Sequence, residues 1–137
     1  MNPEPGNDTE NKYPGVNVAI IGIGSNIDAE KNISVMLDIL GSEVTVVKIS
    51  KLLKTKPIGI EDQPDYTNGA VKVETVFGIK ELELLLKKIE DRLGRNRDAP
   101  KFGPRTIDLD IIVWNGQIVH QEYFSRGFLR DSVIEVS

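Results

Sequence analysis

The chain has 137 residues, a formal charge of −4, 39% hydrophobic and 28% charged side chains. That is the size and composition of one ordinary globular domain with a single core. The lack of cysteine and the single histidine exclude a disulfide scaffold, a thiolate metal or Fe–S site, thiol catalysis and a His-rich metal cluster.

Residues 1 to 15 carry Pro3, Pro5, Gly6, Pro14 and Gly15 with almost nothing apolar, which predicts a flexible tail ahead of one domain over 16–137. The tail is polar and acidic, unlike a secretory signal. No apolar run approaches the ~18 residues of a membrane span, so a cytoplasmic protein with no membrane contact is expected. Val16 to Ile23 is apolar on both alternating faces, as a central buried strand is. Ile33, Met36, Leu37 and Leu40 follow helical spacing, with Asp28 as N-cap and Gly41 as stop. Val44 to about Leu53 is rich in β-branched residues and predicts a strand. Lys54 to Asp65 holds Pro57, Gly59 and Pro64 and predicts a loop long enough to be functional.

Ala70 to Val76 alternates, with Val71, Val73 and Thr75 on one face and Lys72 and Glu74 on the other, as a half-exposed strand does. Ile79, Leu82, Leu86, Ile89 and Leu93 form the stripe of a second helix, ended by Gly94. After a loop to Arg105, Thr106 to Trp114 predicts a strand, and Asn115-Gly116 signals a tight hairpin into Gln117–Val119. The order β-α-β, β-α-β plus a hairpin predicts a ferredoxin-like α+β fold, a mostly antiparallel sheet with helices on one face.

Charge is unevenly spread. Between Lys87 and Arg105 the net charge is +4 in a chain of −4. A local basic stretch in an acidic protein suits a compact polyanion such as a nucleotide. The alternative, a solvated helix face, covers Lys87, Lys88 and Arg92 but not the arginines beyond Gly94. Next comes Arg105-Thr106-Ile107-Asp108-Leu109-Asp110-Ile111. On a strand, Asp108 and Asp110 project to one side while Ile107, Leu109 and Ile111 face the core. Two carboxylates roughly 7 Å apart repel one another, and a divalent cation removes that cost; Mg²⁺ is held by one or two carboxylates plus substrate phosphates. Taken alone, the pair also reads as two exposed aspartates. Arg95, Arg97, Lys101 and Arg105 just upstream supply the phosphate-binding charge that a metal–nucleotide complex needs. Thr55 to Asn68, with Tyr66 at one end, offers hydrogen-bonding groups and an aromatic face for a flat polar heterocycle.

Two motifs fail. Gly22-Ile23-Gly24 would need its third glycine at Ile27, so no dinucleotide fingerprint is present, and no P-loop exists. His120 and Trp114 read as structural. A ferredoxin-like sheet can bind RNA, but no pair of strand aromatics is evident and the chain is acidic, so no nucleic-acid partner is expected.

These residues resemble the 6-hydroxymethyl-7,8-dihydropterin pyrophosphokinase family of folate biosynthesis. The matching stretches are Ile23-Gly24-Ser25-Asn26, Thr55 to Asn68 (TKPIGIEDQPDYTN), Ile89-Glu90 with Gly94-Arg95-Asn96-Arg97, and Gly103 to Asp110 (GPRTIDLD). The resemblance implies transfer of the β,γ-diphosphate of ATP to the pterin hydroxymethyl oxygen, with ATP and the pterin as small-molecule partners. It implies that Asp108 and Asp110 hold two Mg²⁺ ions and that Arg95 and Arg105 contact phosphates, these four being the catalytic candidates. Glu90, Arg97, Ile111 and Arg126 would complete the ATP site. Thr55, Pro57, Ile58, Tyr66 and Asn68 would bind the pterin, with Phe128 sandwiching the ring opposite Tyr66. The pattern departs in the short segment His120 to Ser125, which lacks the family's Pro-His pair, in Phe102 where tryptophan is common, in Asp98 where a basic residue is common, and in an end at Ser137. The alternative expectation is a relative that binds ATP or pterin without turnover.

Overall fold

A computed structural model describes residues 15–137; the predicted tail, Gly15 apart, lies outside them. Six strands form one antiparallel sheet: β1 (Asn17–Ser25), β2 (Thr45–Ile49), β3 (Leu53–Thr55), β4 (Tyr66–Thr75), β5 (Asp108–Trp114) and β6 (Gln117–Ile118). The strand order is β2-β4-β1-β5-β6, with β3 also paired to β4. The helices are α1 (Ala29–Glu43), α2 (Ile79–Arg92), the single turn α3 (Glu122–Ser125) and α4 (Gly127–Val136). The result is an open α+β sheet.

The apolar run predicted to be central is β1, flanked by β4 and β5 and buried through most of its length. One face of the sheet packs on α1 and α2. Ile33, Met36 and Leu40 from α1 and Leu82, Leu86 and Ile89 from α2 meet Ala19, Ile21, Val71, Val73, Leu109 and Ile111. The alternation predicted for β4 is present: Val71, Val73 and Thr75 are buried, Lys72 and Glu74 partly exposed. Asn115 and Gly116 both have positive φ, at 47° and 81°, and make the predicted hairpin.

The expectation of helices on one face alone is corrected. Ile20, Ala70 and Ile112 point to the other face, where α4 covers them with Leu129, Val133 and Val136. The physical reason is that three central strands carry apolar residues on both sides. Each buried aliphatic side chain is worth about 2 kcal/mol, so neither face is left to water. Smaller differences follow from tertiary contacts. β4 begins at Tyr66, inside what reads as loop, because Thr55 and Tyr66 pair across β3 and β4. α1 runs through Gly41 to Glu43, and Asp28 sits at its N-cap position in left-handed conformation with no side-chain cap bond.

α4 covers only part of its face. Beyond Gly22 and Ile112 the sheet continues to Gly24, Asn68 and Asp108, bordered by Glu122 of α3, Phe128 at the start of α4 and residues of loops 56–65 and 95–107. The candidate site lies there.

Candidate active site

The floor is set by strand register. Gly24 of β1 lies between Asn68 of β4 and Asp108 of β5, and Gly22 between Ala70 and Asp110. Tyr66, Asn68, Asp108 and Asp110 therefore share one face, as the two-residue period requires. A Cβ on Gly24 would meet Asn68 Oδ1 at 3.1 Å, so a glycine keeps the floor open.

A cavity of about 260 Å³ stands on this floor. Thr55, Ile58, Tyr66, Asn68 and Phe128, five residues expected to hold a pterin, line it. Arg105, Asp108, Asp110 and Arg126 line it too, whereas Pro57, expected there, is not among the lining residues. The Asn68 amide donates to Thr55 Oγ1, and the Tyr66 hydroxyl donates to Gly103 O at 2.7 Å. Burial and then Asp108 push the Tyr66 hydroxyl above its ordinary range. The roof is formed where loop 56–65 meets loop 95–107. Gly59, at φ +90°, lies against Phe102, whose ring would stand 2.8 Å from any Cβ there.

A second cavity, of about 730 Å³, lies against α2 and the free edge of β5. β6 pairs only with Val113 and Trp114, so the 108–111 stretch of β5 has an open edge. Glu90, Arg95, Arg97 and Ile111 line this cavity. Glu90 is buried, and its oxygens accept from Arg95 at 2.7 Å, Arg97 at 3.0 Å and the Leu109 N–H at 2.8 Å. Burial raises the Glu90 pKa against the opposing pull of these donors. The Glu90 hydrogen bond in turn holds the Arg97 guanidinium above its ordinary pKa. Arg95 reaches further, to Asp108 Oδ1 at 2.9 Å. One buried carboxylate thus orients two arginines.

Asp108, Asp110 and His120 line both cavities. They form a wall common to the two spaces. Asp110 is held up to about pH 7 by burial and by the neighbouring Asp108 charge. His120 Nδ1 accepts the Glu122 N–H at 3.2 Å, so Nε2 faces Asp110 Oδ1, 3.9 Å away. Glu122 pairs with Arg126 at 2.9 Å.

The sequence that builds these two cavities matches a known family. Residues 20–137 match the family model described as 7,8-dihydro-6-hydroxymethylpterin-pyrophosphokinase (HPPK). This chain belongs to that family. It is 40% identical over 109 residues to the 2-amino-4-hydroxy-6-hydroxymethyldihydropteridine pyrophosphokinase of Bacillus subtilis, covering 77% of this chain and 65% of that one. The Haemophilus influenzae protein of the same name is 36% identical over 107 residues, covering 76% of this chain and 66% of that one. The folate synthesis bifunctional protein of Pisum sativum is 37% identical over 127 residues, covering 85% of this chain and 24% of that protein. The chain thus spans just under two thirds of the length of the two bacterial relatives.

HPPK membership draws attention to a divalent cation, and the donors present fit one. Asp108 and Asp110 offer hard carboxylate oxygens on one side of a strand, and Asp110 has a raised pKa that a nearby positive charge would relieve. Asp110, His120 and Glu122 also bring ligand atoms within 4.8 Å of one another.

Some site residues had little signal in the sequence. His120, read as structural, borders both cavities, and Lys56 and Glu122 line the first. Glu122 opens α3, a single turn too short to carry periodicity. Phe102, a lone aromatic in a polar loop, did carry a signal, and it lines the first cavity beside Lys101. Among the described residues no helix is long and apolar enough to cross a membrane.

Proposed function

We propose that this chain transfers the diphosphate of ATP to the hydroxymethyl oxygen of 6-hydroxymethyl-7,8-dihydropterin, giving AMP and the pterin diphosphate, as a step of folate synthesis in the cytoplasm, where ATP is supplied. The observation that carries this reading is the wall of Asp108, Asp110 and His120 common to both cavities. A donor and an acceptor bound on its two sides would meet where the carboxylates are. The fold proposed with it is ferredoxin-like, supported by a β-α-β-β-α-β order once the short β3 is set aside and by β1 lying between β4 and β5.

In this reading the pterin occupies the smaller cavity. Its ring lies between Tyr66 and Phe128, and Thr55 and Asn68 meet its polar edge, with the backbone of Pro57 and Ile58 behind. ATP occupies the larger cavity along Ile111, with Arg95 and Arg97 toward its phosphates and Glu90 holding both arginines. Arg105 and Arg126, on the pterin side, face the diphosphate as it crosses. Asp108 and Asp110 would hold two Mg²⁺ ions, which when bound neutralise phosphate oxygens. The acceptor oxygen bonds to the β-phosphorus as that atom's bond to the AMP oxygen breaks, and the hydroxyl proton is released. Positioning and charge neutralisation supply most of the acceleration in such transfers, which agrees with the lack of an evident strong base beside the acceptor. In this reading the arginine-bearing loop 95–107 would close over ATP and exclude water, as lids do.

The test mixes the purified chain with ATP, Mg²⁺ and the pterin. AMP and pterin diphosphate are expected in equal amounts. Binding of either substrate with no AMP formed would overturn the reading in favour of a binding protein.

A further inference from the structure

Asn26 lies outside both cavities, yet it touches the loops that bound them. It is 6% exposed, in the turn after β1. Its side-chain oxygen accepts the Arg105 N–H at 2.8 Å, and its own N–H donates to Arg105 O at 3.1 Å. Its side-chain amide donates to Gln63 Oε1 and to Pro64 O, both at 2.9 Å. Gln63 extends the connection, donating to Ile60 O and Phe102 O, each at 2.7 Å. Ser25 beside it donates to Thr106 O at 2.6 Å. One buried amide therefore uses its acceptor on the loop that carries Arg105 and its donors on the loop that leads to Tyr66.

We infer that Asn26 is a positioning residue that holds the pterin-side loop and the backbone of Arg105 in a single register. The inference rests on the functional reading above for what the loops bind. The hydrogen-bonding inventory makes the assignment specific. An amide is the side chain that can accept from one loop and donate twice to the other. A buried group left unsatisfied costs more than the bond itself is worth. The loops carry no regular structure of their own at this point, so their relative placement depends on such connections. Gly59 lets the two loops approach, since a Cβ there would stand 2.8 Å from Phe102; the amide decides where they stop.

Asn26→Asp separates the two arms. It keeps an oxygen for the Arg105 N–H, removes both amide donors, and sets an acceptor against Gln63 Oε1 and Pro64 O. In the full chain, pterin Kd measured with a non-hydrolysable ATP analogue present is expected to rise about tenfold. The Kd for the analogue alone should change by less than about twofold. Hydrogen exchange of the ligand-free protein should quicken at residues 60–65 and stay unchanged at 104–106. Asn26→Ala, which removes both arms, should quicken exchange in both segments and lower kcat further. Unchanged exchange at 60–65 in Asn26→Asp would overturn the inference, as would a fall in Tm with wild-type pterin Kd and kcat. If the wild-type protein binds no pterin, the functional reading fails, and the exchange pattern still decides the role of Asn26.

Discussion

Arg95 and Arg105 belong to opposite sides of the shared wall, and they are held in different ways. The Arg95 side chain is 14% exposed and donates to two carboxylates, Glu90 and Asp108, at 2.7 and 2.9 Å. Arg105 is fixed at its backbone by Asn26, while its guanidinium meets the carbonyl of Lys101 in the same loop. One positive charge is built into the fold before any ligand arrives. The other is tethered at its backbone, and its guanidinium is bound to no carboxylate among the described residues. In the proposed reaction Arg95 would serve stability and binding together, whereas Arg105 would act mainly as charge moves during transfer.

Substitutions can break this contrast. The largest effect is expected at the wall itself. Asp110→Ala should reduce AMP formation by about 10³-fold or more, because the site would lose one of the two carboxylates proposed to hold Mg²⁺; near-normal turnover would contradict its assignment. Arg105→Ala should lower kcat by about 10²-fold with a smaller loss of ATP-analogue affinity and little change in Tm. Equal losses in kcat and affinity would make it a plain anchor. Arg95→Ala should instead lower stability by about 3 kcal/mol, since Glu90 stays buried with one partner fewer; urea unfolding midpoints distinguish the two arginines. Tyr66→Ala should weaken pterin binding by about tenfold and leave ATP-analogue binding unchanged, and an unaltered pterin Kd would remove it from the site.

The smallest effect is one of pH. Asp110 holds its proton up to about pH 7 in the folded protein against an ordinary 3.8. Between those values the folded chain binds a proton that the unfolded chain has released, so this group's contribution to stability falls as pH rises. Asp110→Asn removes that contribution. In metal-free buffer the variant should match wild type near pH 4 and exceed it at pH 8. The wild-type side chain is 41% exposed, so screening limits the gain to about 1 kcal/mol. A Tm difference that does not change between those pH values would contradict the raised pKa.

Much of this was legible before folding. Alternation around Asp108 and Asp110 set both carboxylates on one face; that Asn68 and Tyr66 share that face came only with the register across β1. The helical stripes of α1 and α2 announced one side of the core. α4 was missed although Leu129, Val133 and Val136 follow helical spacing, because ten residues are too short for periodicity to stand out. Glu90 could be named from the family pattern. That it works by gripping two arginines and the Leu109 N–H depends on α2 packing beside β5.

The residue order alone determined the elements near the site and the chemistry available to them, because hydrophobic period, glycine and proline act over a few neighbours. The tertiary structure decided which charges were spent on one another, which were left to face a ligand, and that two cavities share the wall of Asp108, Asp110 and His120. Those outcomes depend on distances between segments far apart along the chain, such as Asn26 and Arg105, and local preference carries no information about such distances.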